Sequence, residues 1–181
     1  MEVHELTKEE REQMIDHAFK KMNIERKHLS REKLEKEIID YLSKTQACSL
    51  ATCGKDGEPR ISVVDYVNDS LTIYIFSEGG DKFKNLKENN KVAIGIGTSA
   101  KTVRSVRGVN IWGIAEVFTE ETREFAHGMK FFGSIFKQQE RERGGSIELP
   151  KGTTRMIRVT PTKMVYHHNN KGIANAHWES E

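Results

Sequence analysis

Between Thr45 and Phe76 the chain alternates short apolar runs with tight turns, and this succession constrains the fold more than any other feature. Ala47–Thr52 is short and apolar, and Gly54–Gly57 contains an Asp-Gly pair. Pro59–Val67 is rich in Val and Ile, Asn68-Asp69 offers a second turn, and Leu71–Phe76 reads Leu-Thr-Ile-Tyr-Ile-Phe. β-Branched and aromatic residues suit a pleated, half-buried surface, and Asp-Gly tolerates the positive φ angles of a short hairpin. Three strands joined this tightly predict an antiparallel meander.

The rest of the chain extends that pattern. Gly79–Asn90 reads as a short helix with Phe83, Leu86 and Lys87 toward one side, and Lys91–Gly97 as a fourth strand. Residues 98–104 form a polar, basic loop before a long fifth strand, Ser105–Phe118. Its glycines, Gly108 and Gly113, signal a bulge or a close backbone approach. Thr119 is the expected cap of a helix whose apolar side is Phe125, Met129, Phe132 and Phe136. A charged connection, Gln138–Lys151, leads to a sixth strand, Thr153–His167, interrupted by Pro161. Upstream, Thr7 and Glu10 have capping-box spacing, and Ser30 precedes the stripe Leu34, Ile38, Tyr41, Leu42 at helical intervals.

Six strands with short turns and flanking helices predict a mainly β fold, a small closed barrel. Closure removes the exposed strand edges that invite aggregation. An open antiparallel α+β sheet is the alternative from pattern alone. The boundaries read as a helical extension over 1–29, the barrel domain over 30–168 and a tail over 169–181, which receives no secondary-structure assignment.

A chain of 181 residues suits one domain with a real core. Its 29 basic and 27 acidic residues leave a net charge of +2, which gives no electrostatic case for nucleic acid or an anionic membrane. No apolar run approaches the roughly 20 residues that span a bilayer. The acidic start, Met1-Glu-Val-His-Glu-Leu, has no apolar targeting core, so the expected location is the cytoplasm. If Cys48 and Cys53 lie on one strand, their odd spacing puts them on opposite faces and too far apart to bridge. Both read as buried small apolar residues.

No metal-ligand spacing stands out, and no catalytic triad is selected. The pair His167-His168 points to opposite faces of a strand. One constellation is better. Pro59-Arg60-Ile61-Ser62 opens the second strand, and Phe76-Ser77-Glu78-Gly79-Gly80-Asp81-Lys82 closes the third and enters a helix. If these strands are hairpin neighbours, Arg60 lies near Ser77 and Lys82. Two cations, the hydroxyls of Ser62 and Ser77 and free helix N–H groups would form a phosphate cradle. The same residues also read as a surface arginine, a surface lysine and an ordinary glycine turn.

The stretch Leu34–Phe118 resembles the pyridoxamine-phosphate-oxidase-like FMN-binding split barrel family. The resemblance is carried by the leading helix, by "GEPRISVVDYV", by "LTIYIFSEGGDKFKNLKENNKVAIGI" and by "VRGVNIWGIAEVF", in that order. It implies a six-stranded antiparallel split barrel and a homodimer with FMN at the interface. Arg60 and Lys82 would grip the phosphate, Ile61, Ser62 and Val63 would line the flavin, and Phe76 and Ser77 would continue that wall. Asn110 and Trp112 are further candidates from the fifth strand. Trp112 reads equally as core or dimer contact, and the Phe125–Phe136 helix is another candidate for that contact.

The chain also departs from the family pattern. Asp65 stands where the oxidase proper has a lysine near the flavin ring, and Gly80-Asp81 replaces a small hydroxyl pattern before the basic residue. The ending, "YHHNNKGIANAHWESE", contains no arginine for a second phosphate, so efficient oxidation of pyridoxamine phosphate is not expected. The leading expectation is an FMN-dependent oxidoreductase acting on a small molecule, with its catalytic residues unassigned. The alternatives are a non-catalytic flavin carrier, a haem protein using His167, His168 or His177, and a deazaflavin protein whose anionic tail lies on the basic loop Lys101–Arg107.

Overall fold

A computed structural model describes residues 5–145 and 151–181. Of the segments read above, Met1–His4 and Ser146–Pro150 lie outside the described residues.

Helix α1 (Lys8–Lys21) starts in the capping box formed by Thr7 and Glu10, and α2 (Arg31–Leu42) buries Leu34, Ile38, Tyr41 and Leu42. Ser30 occupies the N-cap of α2 without a side-chain capping bond. The strands are β1 (Ala47–Cys53), β2 (Pro59–Asp65), β3 (Val67–Asp69), β4 (Thr72–Ser77), β5 (Lys91–Gly97), β6 (Arg107–Phe118), β7 (Arg155–His168) and β8 (Ile173–Glu179). Between β4 and β5 lies α3 (Lys82–Glu88), and between β6 and β7 lies α4 (Arg123–Arg143).

All pairings are antiparallel, in the order β2-β1-β5-β6-β7-β4-β3, with β8 added to β7. The two ends of that order, β2 and β3, are consecutive in the chain with only Tyr66 between them. The sheet therefore curls until its ends meet in one bent segment. Tyr66 is buried at the bend, where its N–H donates to Gln46 O at 2.8 Å and its hydroxyl to Leu42 O at 3.0 Å. With β2 and β3 taken as one bent strand, six strands make the expected split barrel.

Inside it pack Leu50, Ile73, Ile75, Ile94, Ile111 and Val159, together with the stripe of α2. A second core forms outside, where Phe125 and Phe132 of α4 meet Tyr74 and Met156. Cys48 is buried and Cys53 half-buried, and both are free. Burial pushes the Cys48 thiol up to about 12.

Both strand glycines act structurally. A Cβ on Gly108 would lie 2.8 Å from Ile96 O, and the β6–β7 register shifts between Trp112 and Gly113. Pro161 does not interrupt β7, contrary to expectation. It faces the bulge at Gly113, and it falls in the gap where β4 pairing ends at Val159 and β8 pairing begins at Lys163. A residue without an N–H is tolerated where no neighbour requires one.

Three helical readings are corrected. Helix α3 is shorter than Gly79–Asn90. The N-cap of α4 is Thr122 rather than Thr119, and its hydroxyl accepts from Phe125 N at 3.2 Å. The start of the supposed connection, Gln138–Arg143, continues α4. Among the described residues no helix is long and apolar enough to cross a membrane, and no group of three His, Cys, Asp or Glu is arranged to hold a metal.

Candidate functional site

The β1–β2 turn and α3 are locked together by polar contacts. Gly54 permits the approach, since a Cβ there would lie 3.0 Å from Glu88 Oε2 and 3.1 Å from Asn85 Oδ1. Lys55 N donates to Glu88 Oε2 at 2.9 Å, and Asn89 Nδ2 donates to Cys53 O at 3.0 Å. Asn85 is the buried hub. Its amide donates to Thr52 Oγ1 at 3.1 Å, and its Oδ1 accepts from Arg60 Nη1 at 2.8 Å. Asp56 Oδ2 accepts from Arg60 Nη2 at 3.2 Å. The guanidinium is thus fixed before any ligand arrives.

Lys82 lies one turn before Asn85 on α3, at the spacing of helical neighbours. Its residue is only 8% exposed, and its ammonium donates to Gly79 O, which also accepts from Ser77 Oγ at 3.3 Å. Among the described residues Lys82 has no carboxylate partner, because Asp56 is taken by Arg60 and Asp81 by Lys84 at 2.8 Å. Burial alone draws the Lys82 ammonium below its ordinary pKa. A buried cation without a counter-ion is costly unless an anion joins it.

Arg60 is thus tied to α3 through Asn85, and Lys82 of the same helix shares the Gly79 carbonyl with Ser77, a route that differs from the expected one. The hairpin pairs only Val67–Asp69 with Thr72–Tyr74, after which β2 follows β1 and β4 follows β7. It is α3, packed on the β1–β2 turn, that brings the cations together.

The other predicted residues scatter. Ser62 shares the face of Arg60 and lies opposite Leu50, while Ile61 and Val63 point outward with 71% and 78% exposure. Phe76 is packed among Phe125, Phe132 and Phe136, with ring centroids 5.7–6.2 Å apart, so its ring is part of the α4 core. Trp112 is not core, since it is 41% exposed on the outer face with Lys163 Nζ 5.7 Å from its ring. Asn110 is exposed on the same face.

That outer face is continuous. Register aligns Ile61, Ala51, Ala93 and Trp112 in one row and Val63, Ser49, Gly95, Asn110 and Val165 in the next. Two large aliphatic residues at one edge, small residues between and an indole beyond make a shallow bed for a planar group or a partner surface. Reading the sequence missed Thr52 and Asn85. The only signal was an amide three residues after Lys82, on the side of the helix that faces the sheet.

The comparisons with known proteins agree with this architecture. The family profile "Pyridoxamine 5'-phosphate oxidase" matches residues 34–168. No curated protein matches the chain. Among solved structures, the conserved hypothetical protein Rv2991 of Mycobacterium tuberculosis is similar at TM-score 0.60 and 22% identity, covering 82% of this chain and 93% of that one. HutZ, the haem storage protein of Vibrio cholerae, aligns at TM-score 0.56 and 20% identity over 71% of this chain and 89% of its own. An FAD-binding protein of Mesorhizobium loti aligns at TM-score 0.56 and 19% identity over 75% and 90%. At these identities the structures share the fold, and the profile match over most of the chain carries the assignment: the chain belongs to the pyridoxamine 5'-phosphate oxidase family of split barrels.

Proposed function

We propose that this chain is a cytoplasmic FMN-binding oxidoreductase acting on a small molecule, assembled as a two-fold homodimer with the flavin between the subunits. The observation that carries the reading is Lys82, a buried residue whose ammonium has no carboxylate partner among the described residues, beside an arginine already fixed by Asn85. A phosphate monoester supplies the missing negative charge and accepts from both cations, and charge-assisted bonds of this kind are the strong ones. The FAD-binding relative supports a flavin on this fold.

Bound FMN would supply reversible two-electron chemistry. The chain's own residues do the rest. Arg60 and Lys82 hold the phosphate, and Ser77 keeps the Gly79 carbonyl in place beneath the ammonium. Ile61 and Val63 lie beside the corner and exclude water from the ring once a second subunit covers them. Asp65, on the same outward side of β2, places no cation near the ring. The two free cysteines suit a reducing compartment.

The test is direct. Purified protein is titrated with FMN and with riboflavin while flavin fluorescence is read. We expect saturable FMN binding at one per chain and much weaker riboflavin binding. Equal affinities would remove the phosphate corner, and no binding of either would remove the flavin. A Soret band on haem addition, with no flavin response, would favour a role like that of the haem storage protein instead. Flavin binding without turnover of any reductant would make the protein a carrier.

A further inference from the structure

The basic loop between β5 and β6 plays no part in the phosphate corner, which lies at the other end of β5. The strand is seven residues long, so the two ends stand roughly 20 Å apart. Here the loop walls a cavity of about 410 Å³ lined by Thr98, Thr102, Arg104, Ser105, Arg107 and His168. It adjoins a groove of about 440 Å³ on the outer face, and the two share Thr98 and Arg107. Gly95, Gly108, Ser49, Asn110 and His167 line the groove.

The walls are held in advance. Thr102 caps the single turn Val103–Ser105, Asn169 Nδ2 donates to Val103 O at 2.8 Å, and Thr98 N donates to Arg107 O at 3.1 Å. Arg107 lies over the Tyr41 ring at 4.5 Å, and its Nε donates to Tyr166 OH at 3.0 Å. The nearby carboxylates are already engaged. Glu37 Oε1 accepts from Lys171 at 2.6 Å while its buried Oε2, without a hydrogen bond, lies 3.9 Å from His168 Nδ1, and Asp40 pairs with Lys44 at 2.5 Å and with Arg107 at 3.5 Å. Arg104 is exposed, donates to Met22 O and has no carboxylate partner among the described residues. The cavity therefore carries excess positive charge together with three hydroxyl side chains. In the groove, His167 Nδ1 accepts from Asn175 N at 3.3 Å, which leaves Nε2 for a ligand.

We propose that this cavity binds the anionic group, a phosphate ester or a carboxylate, of a small organic molecule whose body occupies the adjoining groove against Asn110 and His167. The anion cavity is separate from the Arg60–Lys82 corner and does not require FMN, whereas the groove shares Ser49, Gly95 and Asn110 with the outer-face bed. Arg104 and the free edge of Arg107 provide the charge and the donors, while the hydroxyls of Thr98, Thr102 and Ser105 already donate to Arg107 O, Ser105 Oγ and Thr102 O and so hold the wall in shape. Two arginines beside a concavity match the fork geometry that oxyanions favour.

His168 reports on occupancy. Burial, Arg107 and Lys171 draw its imidazole below the ordinary pKa, and Glu37 opposes them. Tyr166, whose hydroxyl is 3.4 Å from His168 Nδ1, also faces it. A bound anion adds negative charge, so the His168 pKa must rise.

The experiment is an NMR pH titration of the histidine side chains in the full chain without FMN, with pyrophosphate or with citrate, against chloride at equal ionic strength. We expect at least one probe to raise the His168 pKa by about half a unit or more, saturably. Arg104→Ala should weaken that probe about tenfold, Arg104→Lys should restore part of the loss, and Arg60→Ala should leave it unchanged. A response to pyrophosphate alone identifies a phosphate ligand, and to citrate alone a carboxylate. The proposal is overturned if neither probe exceeds the chloride control, or if Arg104→Ala responds as the wild type does. Since Arg60→Ala keeps this site intact, failure here and failure of the flavin reading are separate results.

Discussion

Arg60 on β2 and Asn85 on α3 are joined by a 2.8 Å hydrogen bond whose acceptor is itself held by Thr52. The amide thus sets the position of a cation on a different element. Asn85→Ala removes the link and leaves the buried Thr52 hydroxyl without its donor. We expect a loss of about 1–3 kcal/mol in urea unfolding. FMN affinity should fall by about tenfold or more in Arg60→Ala, with a smaller loss in Asn85→Ala, read by fluorescence titration. Unchanged affinity in Arg60→Ala would sink the phosphate assignment.

Lys82 should trade stability for binding. Its pKa is lower folded than unfolded, so between those two values the unfolded chain binds more protons. Stability therefore rises with pH through that window and is least below it. Lys82→Met should stabilise the ligand-free protein by about 0.5–2 kcal/mol at neutral pH and remove this alkaline gain. It should also weaken FMN about tenfold. Urea melts at neutral and alkaline pH check both signs.

Gly113 and Gly97 form a matched pair. A Cβ on Gly113 would sit 2.6 Å from Thr160 O and 2.9 Å from Val159 Cγ1, whereas nothing lies within 4 Å of one on Gly97. Gly113→Ala should cost about 1–3 kcal/mol, and Gly97→Ala should stay within about 0.5 kcal/mol. Comparable thermal melts for the two variants would contradict the bulge geometry.

The proposed dimer should depend on the outer face of β2. Replacing Val63 by Glu puts a charge in the middle of the proposed apolar contact and should shift the wild-type dimer to monomer in light scattering at micromolar concentration. A wild-type monomer with FMN bound would end the interface proposal.

FMN-loaded protein should not turn over pyridoxamine phosphate in air at typical enzyme rates of about 1 per second or more. The segment 169–181 offers Lys171 but no arginine, and that lysine is engaged by Glu37. Steady formation of pyridoxal phosphate at such a rate would reverse this expectation.

Much of the barrel was legible because local chemistry and final geometry agree. The apolar run Leu71–Phe76 foretold β4, the Asp-Gly turn foretold the β1–β2 hairpin, and Gly108 and Gly113 marked a close approach and a bulge. Strand β8 was illegible. Its sequence, Ile-Ala-Asn-Ala-His-Trp-Glu, has little β-branched character, and it becomes a strand because the edge of β7 beyond Pro161 is open to it. The last turns of α4 were hidden by their charge, since they run past the aromatic core. At the corner, Arg60 and Lys82 were visible as residue types, but the path joining them was not. It depends on where α3 docks, and Gly54 governs that through a contact distant in sequence.

The placement of β7 affects how the protein is made. Its partners are β6, β4 and β8, so residues 155–168 must leave the ribosome before the facing edges of β4 and β6 can be satisfied. Until then the nascent chain carries two open strand edges, one of them the twelve-residue β6. At ordinary synthesis rates of about 5–20 residues per second, the α4 segment alone holds those edges apart for a second or more. The helix that separates β6 from β7 is thus also a delay during which a chaperone, or another nascent copy, can reach the unfinished sheet.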